Sequence, residues 1–463
     1  MKRNGFRQLT LAFAFVLALA LGASAQVAPV VAPTPDGTMP PPPSAVPAPA
    51  TPAPVEVPTL GEDVLPLAPE RPVFFHQGVL VETLGGEVVM EQGGEQGFNP
   101  ASAVKLATAL VALRSLGPQH RFSTAVWTTG TFDAATGTVN GDLIISGRDP
   151  SFHYEHAVLL ARELNRLGIR TVTGDLIVAP RFTMNFNGSS LRSGERLYDT
   201  LDVTRRPAAA TRAWYDSRVI VGEPIDPLKQ PSVAVMGAVY VNSVPPGAKL
   251  VVTHRSSTLT DILKVLLCYS NNFMADRLGD TLGGPAGVRR VLVHELGLPE
   301  SEVRLASTSG LGVNRLTPRG MMKVYRALRE ELAEHNLSVA DIMPVAGIDP
   351  GTLEKRYRFS AGRGSVIAKT GTLIRTDGGA SALVGQFRTR DGQTLLFVIF
   401  NQRGSVPRFR SQQDSLIAML QSARGGPQPF TYSPHALAMR LADTEFDAAK
   451  SPNADEYEPI ANE

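Results

Sequence analysis

Three short stretches of this chain carry groups that could do chemistry together. The first is Pro100-Ala101-Ser102-Ala103-Val104-Lys105, at the head of the apolar run KLATALVAL. A serine there is an ordinary helix N-cap. A lysine three residues on is not explained that way, because a capping box wants Glu or Gln and a cation opposes the positive end of the helix dipole. The conflict disappears if the amine is neutral. The dipole and apolar surroundings both disfavour the ammonium, and i, i+3 spacing brings the two side chains together, so Lys105 could take the proton of the Ser102 hydroxyl. Alone, the S-x-x-K pattern is weak, since it arises by chance in many chains.

The second stretch is Tyr269-Ser270-Asn271-Asn272, between the helix-like LTDILKVLLC and FMADRLGDTL. A hydroxyl followed two positions later by a carboxamide offers a proton relay and a substrate hydrogen-bonding group on one turn. Two registers compete, Ser270-x-Asn272 and Tyr269-x-Asn271, and a plain polar helix junction accounts for either. The third is Lys369-Thr370-Gly371-Thr372, in the strand-like SVIAKTGTL. Lys369 and Thr370 suit a carboxylate. Gly371 reads as a strand interruption beside which a substrate backbone can lie.

These groups need a scaffold, and the hydrophobic patterning supplies one. GVLVETLGGEVVMEQGG (78–94) reads as a hairpin, and the apolar helix follows it. Residues 121–249 change to short strands and turns with one amphipathic helix, a β-rich inserted module. Helical pattern then returns, and three strand-like segments and an amphipathic helix around RSQQDSLIAMLQSA end the unit. Strands at both ends with helices between them predict an α+β fold, one antiparallel sheet assembled from residues 71–120 and 250–425.

The flanks read differently. Residues 1–25 have a basic start, an apolar stretch too short to span a membrane comfortably, and the small-x-small end Ala23-Ser24-Ala25, the pattern of a cleaved secretory signal. Residues 26–70 are a Pro/Ala-rich spacer, and residues 426–463 are acidic and turn-rich, expected to be disordered. The 463-residue chain has 45 basic and 43 acidic residues, net +2, which gives no electrostatic case for nucleic acid or an anionic membrane as partner. Cys268 is the only cysteine, so no intramolecular disulfide is available; it reads as a small buried side chain. His294-Glu295 begins a zinc-protease-like pattern, but Leu298 stands where the second histidine belongs, so no metal site is expected. Asp149 in GRDPSF reads as a turn residue.

In order, S-x-x-K, S-x-N and K-T-G resemble the motif set of penicillin-binding proteins and active-serine β-lactamases. More of the chain is similar to one branch, the PBP4-type D-alanyl-D-alanine carboxypeptidases and endopeptidases of peptidase family S13. The matching stretches are NPASAVKLATA, GDLIISGRDPSF, YSNNFMADRL, STSGLGVNRLTP, PVAGIDPGTLEKRY and IAKTGTL, spread over about 75–423 in family order. The resemblance implies a transpeptidase-like fold with the β-rich module inserted. It implies an exported, extracytoplasmic or periplasmic, penicillin-sensitive hydrolase of peptidoglycan stem peptides, without metal or organic cofactor and acylated by β-lactams. Ser102 would be the nucleophile, Lys105 its base and Ser270 the proton relay. Asn272, Lys369, Thr370 and Gly371 would bind substrate, and the backbone N–H groups of Ser102 and Thr372 would form the oxyanion hole. The alternatives are an endopeptidase that cuts cross-links and a catalytically idle cell-wall-binding module. Two departures stand out. Ser307-Thr308-Ser309 replaces the family's Asp-Gly-Ser, and the segment after Lys369-Thr370-Gly371 is slightly long.

Overall fold

The computed structural model describes residues 76–448 apart from 225, 227, 228 and 359. The expected signal segment, the spacer and the last part of the tail lie outside the described residues. Along the chain, β1 (Gln77–Thr83) and β2 (Val88–Gln92) form a hairpin, and a 3-10 turn (Ala101–Val104) leads into α1 (Lys105–Leu116). Next come β3 (Arg121–Thr128), β4 (Thr131–Asp133), β5 (Thr138–Asn140), β6 (Leu143–Gly147) and α2 (Tyr154–Arg166). They are followed by β7 (Thr171–Val172), β8 (Leu176–Val178), α3 (Ser190–Leu201), α4 (Ala208–Ile220), β9 (Ala234–Val235), β10 (Val239–Val241) and β11 (Lys249–Thr258). The helical run is α5 (Leu259–Tyr269), α6 (Asn272–Asp280), α7 (Gly284–His294), α8 (Pro318–Glu334), α9 (Val339–Ile342) and α10 (Glu354–Tyr357). It precedes β12 (Val366–Leu373), β13 (Ala380–Arg388), β14 (Thr394–Gln402), α11 (Val406–Ser422), α12 (Leu437–Ala442) and β15 (Glu445–Ala448).

The two ends of the unit meet in one antiparallel sheet of order β12-β13-β14-β1-β2, as the hairpin and the three late strands predict. Strand alternation sends side chains to two apolar layers. Ile367, Ala382, Val384, Leu396, Val398 and Phe400 join the helical core around α1, α5 and α8, whereas Val366, Ala368, Leu383, Phe397 and Ile399 pack with Ile417 and Leu420 of α11. By the same alternation Lys369 and Gly371 face the helices, and Thr370 and Thr372 face the α11 side. At the centre of the helical layer α1 is buried on all sides from Lys105 to Leu113, which is why its sequence reads as apolar without a polar stripe.

The intervening residues build two further sheets, β10-β8-β6-β3-β11-β15 and β4-β5-β7-β9, with α2 and α3 on a separate core around Leu143, Leu160, Leu176 and Leu197. The first of these sheets takes in all of β11, so the β-rich structure runs to residue 258, past the expected boundary at 249.

The tail expected to be disordered from 426 onward is a correction. Its described part forms α12 and β15. Leu437, Leu441 and Ala442 are buried, α12 packs against α5, and β15 pairs with β11 through Val252↔Ala448 to Arg255↔Glu445. The acidic composition that resembled a solvated tail supplies counter-charges: Asp443 and Glu445 meet Arg121, and Asp447 meets Arg255. Replacing Leu441, 8% exposed, with Ala is expected to lower unfolding free energy by about 2 kcal/mol in urea titrations. An unchanged midpoint would show the segment contributes nothing to the core.

Candidate active site

From Phe98 to Leu113 every residue is buried except Ser102. The serine is not the helix cap. It sits inside the 3-10 turn, whose N-cap, Pro100, makes no side-chain capping bond. Ala101 just before it has φ +46°, a left-handed conformation that a non-glycine residue holds only where its surroundings impose it. Here Asn99 imposes it, its Oδ1 accepting the Ala101 N–H at 3.0 Å.

Lys105 is fully buried, and its Nζ has three oxygen partners: Ser102 Oγ at 3.1 Å, Asn272 Oδ1 at 2.7 Å and the Ser309 carbonyl at 2.5 Å. Burial lowers its pKa from 10.5 to about 7, and the nearby Asp276 carboxylate offsets part of that shift. An amine in this state is neutral in a large fraction of molecules near neutral pH, and its lone pair can then accept the Ser102 proton.

Ser270 and Asn272 reach the same place from the junction of α5 and α6. Ser270 ends α5 in the left-handed region, φ +55°, and its Oγ accepts a hydrogen bond from Lys369 Nζ at 2.8 Å. Asn271 instead caps α6, its Oδ1 accepting the Met274 N–H at 3.0 Å, and Tyr269 is 52% exposed. The geometry thereby separates the two registers, bringing Ser270 and Asn272 together with the two lysines. Lys369 is fully buried, and desolvation, followed by the charge of Lys105, holds its pKa well below the usual lysine range.

β12 is the edge strand of its sheet. Val366 O and the Ala368 N–H bond outward to Ala346 and Pro344, so by strict alternation the N–H groups of Thr370 and Thr372 also point to the outer edge. The carbonyl of Thr370 accepts Lys369 Nζ at 2.7 Å. Gly371 does not interrupt the strand, which continues to Leu373. The space beside it belongs to the protein rather than to a substrate: a Cβ there would lie 2.6 Å from the Pro100 carbonyl. Gly310 plays the same part opposite, where a Cβ would lie 2.0 Å from the Ala101 carbonyl. The serine-bearing turn is thus clamped between two glycine backbones.

Several supporting residues went unread in the sequence. Asp276, one turn after Asn272 on α6, accepts the Ser309 N–H and the Thr308 hydroxyl, holding the loop whose carbonyl meets Lys105. Its i, i+4 spacing from Asn272 was the available signal. Ser307, where the family acid is missing, bonds Ser309 Oγ and the Leu311 carbonyl. Asp377, in the slightly long segment after β12, pairs with Arg315 and accepts from Asn99 at 2.7 Å. Burial would raise its pKa, but the hydrogen bonds from Arg315 and Asn99 keep it below the usual carboxylate range. Beneath Ser270, the buried Lys264 and Asp349 pair at 2.7 Å, and the Tyr432 hydroxyl donates to Asp349. Cys268 is buried and its thiol is pushed up to about 12. Away from this site, His294 and Glu295 are exposed at the end of α7, and Asp149 accepts both the N–H and the hydroxyl of Ser151 in a buried turn.

The pattern of the D-Ala-D-Ala carboxypeptidase 3 (S13) family matches residues 75–212 and 201–422. A D-alanyl-D-alanine carboxypeptidase of Actinomadura sp. (strain R39) is 27% identical over 450 residues, covering 76% of this chain and 82% of that protein. Two solved structures share the fold. The penicillin G-acylated predatory endopeptidase Bd3459 of Bdellovibrio bacteriovorus has a TM-score of 0.66 at 22% identity, over 78% of this chain and 96% of that one. Penicillin-binding protein 4 of Haemophilus influenzae has a TM-score of 0.53 at 21% identity, over 75% and 97%.

Linkage turns the depressed Lys105 pKa into a stability test. Between about pH 7 and 10 the unfolded chain keeps a proton that folded Lys105 has lost, so folding stability rises with pH there. In urea titrations from pH 7.5 to 9.5 the wild-type slope should exceed that of Lys105→Met by about 1 kcal/mol per pH unit. Equal slopes would mean that the amine is not desolvated.

Proposed function

Because the chain belongs to the D-Ala-D-Ala carboxypeptidase 3 (S13) family, we propose that Ser102 hydrolyses the D-Ala-D-Ala bond of peptidoglycan stem peptides through an acyl-enzyme. The observation that carries this reading is the Lys105 amine, buried, shifted to about 7 and 3.1 Å from Ser102 Oγ. A binding-only module has no use for a serine and a neutralised base held together.

In this reading neutral Lys105 accepts the Ser102 proton as Oγ attacks the penultimate D-Ala carbonyl. The N–H groups of Ser102 and Thr372, the latter on the open edge of β12, stabilise the oxyanion. The proton that Lys105 took from Ser102 is handed to Ser270, whose own hydroxyl proton passes to the nitrogen of the terminal D-Ala as the C–N bond breaks, so that Lys105 is neutral again. Asn272 keeps Lys105 directed at the serine. Water then attacks the ester, and its proton returns through Lys105 as Ser102 leaves. At the open edge of β12 the carboxylate of the leaving residue would meet Thr370 and Thr372 from the α11 side and Lys369, held on Ser270, from the helical side. Gly371 serves by letting the serine turn approach the strand. A D,D cross-link presents the same carbonyl and leaving amine, so endopeptidase action uses the same groups, and a β-lactam ring would acylate Ser102 by the same attack. Such a substrate lies outside the cytoplasmic membrane, which fits the signal-like first 25 residues. Among the described residues no helix is long and apolar enough to cross a membrane.

Wild type and Ser102→Ala incubated with a pentapeptide, a cross-linked muropeptide and a labelled penicillin test the reading. Wild type should release D-alanine and take the label, and Ser102→Ala should lose both by on the order of 10⁴-fold or more. Absence of Ser102-dependent label and of any product would sink it. The acylation rate constant should rise about tenfold per pH unit below pH 7 and level off above, following neutral Lys105; a flat profile from pH 5 to 8 would remove Lys105 as base.

A further inference from the structure

On α11, Arg410 lies one turn before Asp414, the usual place for a helical ion pair. It does not make that pair. Asp414 is already taken by Arg356, at 2.5 and 3.2 Å, and by the Tyr357 hydroxyl at 2.8 Å. Arg410 turns instead to the active-site strand, where its Nη2 donates to Thr372 Oγ1 at 3.0 Å. That is the only hydrogen bond its guanidinium makes among the described residues, and no carboxylate there comes within ion-pair distance of it. Its side chain is exposed, and partial burial, then the neighbouring charge of Arg356, lowers its pKa, with Asp414 offsetting this only in part. A guanidinium carries five donors in a planar fork matched to a carboxylate. This one is anchored at one corner, with no ion-pair partner among the described residues.

The position of Thr372 says which anion would fit. On the reading above, the Thr372 N–H holds the scissile carbonyl oxygen, and the carboxylate of the leaving residue lies about one residue further along, ~3.8 Å in Cα terms. Its side chain faces the α11 side of the sheet, where Arg410 waits. We propose that Arg410 binds the carboxylate α to the leaving nitrogen, together with Thr372 and Lys369, and so selects donors whose leaving residue carries a free rather than an amidated carboxyl group. The inference rests on the proposed peptidase reading. It covers both reactions, because the leaving residue has a carboxyl on that carbon whether it is a terminal D-alanine or the D-centre of a cross-linking diamino acid.

The test compares kcat/KM for an acylated peptide ending in D-Ala-D-Ala with that for its C-terminal amide, in wild type, Arg410→Lys and Arg410→Gln. Wild type should prefer the acid strongly. Arg410→Gln should lose about 10- to 100-fold on the acid and less than about twofold on the amide, collapsing the preference, with Arg410→Lys between them. Parallel losses on both substrates, or an unchanged ratio, would overturn the role of Arg410. Wild type that cleaves neither peptide and takes no penicillin label would overturn the peptidase reading itself, a distinguishable outcome.

Discussion

The site depends on taking one amine out of water. Lys105 sits at zero exposure on a helix with no polar face, and desolvation, offset in part by the charge of Asp276, brings its pKa to about 7. A buried ammonium left without acceptors would be strongly destabilising. The chain answers with three oxygens, one from Ser102 on the same turn and two from distant segments, Asn272 on α6 and the Ser309 carbonyl on the loop before α8. Asp276 ties the last two together and tempers the desolvation by its charge. The balance is chemically useful. More burial without Asp276 would leave a weaker base, and less burial would leave the amine protonated.

Placing hydroxyls around that amine requires backbone that helices and strands do not ordinarily provide. Ala101 and Ser270 both occupy left-handed φ without being glycine, one next to the candidate nucleophile and the other carrying the candidate relay. Each is held by its surroundings, Ala101 by Asn99 and by the glycine backbones of 310 and 371, and Ser270 by the α5 end resting on the loop of Gly351 and the Lys264–Asp349 pair. A buried ion pair of this kind is poor evidence for stability by itself. Here it fixes the loop 343–349 against α5, since Lys264 also donates to the Ala340 and Met343 carbonyls.

The C-terminal segment belongs to the same support. α12 covers α5, the helix that ends in Ser270, and β15 closes the free edge of β11, joining the helical layer to the inserted sheet. Sequence patterning missed it because four strand residues and six helix residues are too few for a period, and because the acidic side chains find arginines that lie far away in the chain.

How much could be read from the sequence follows the range of the interactions involved. Hydrophobic period and turn residues are local, so the hairpin, the late strands, α1 and the order of the three motifs were legible, and with them the α+β fold. The misplaced lysine was legible for the same reason: a cation in the first turn of an apolar helix conflicts with its own local environment. Gly371 was misread because what makes it glycine is the Pro100 carbonyl, a contact no local pattern reveals. The sequence by itself determined which chemical groups are present, in what order, and that Lys105 could not be an ordinary surface lysine. The family motif already favoured Asn272 over Asn271, and the fold brings Asn272 to Lys105; only the tertiary structure decided that Ser309 supplies the third acceptor and that Arg410 leans on Thr372. Those contacts join groups 167, 204 and 38 residues apart, whose meeting is set by the packing of helices on a sheet and not by the residues between them.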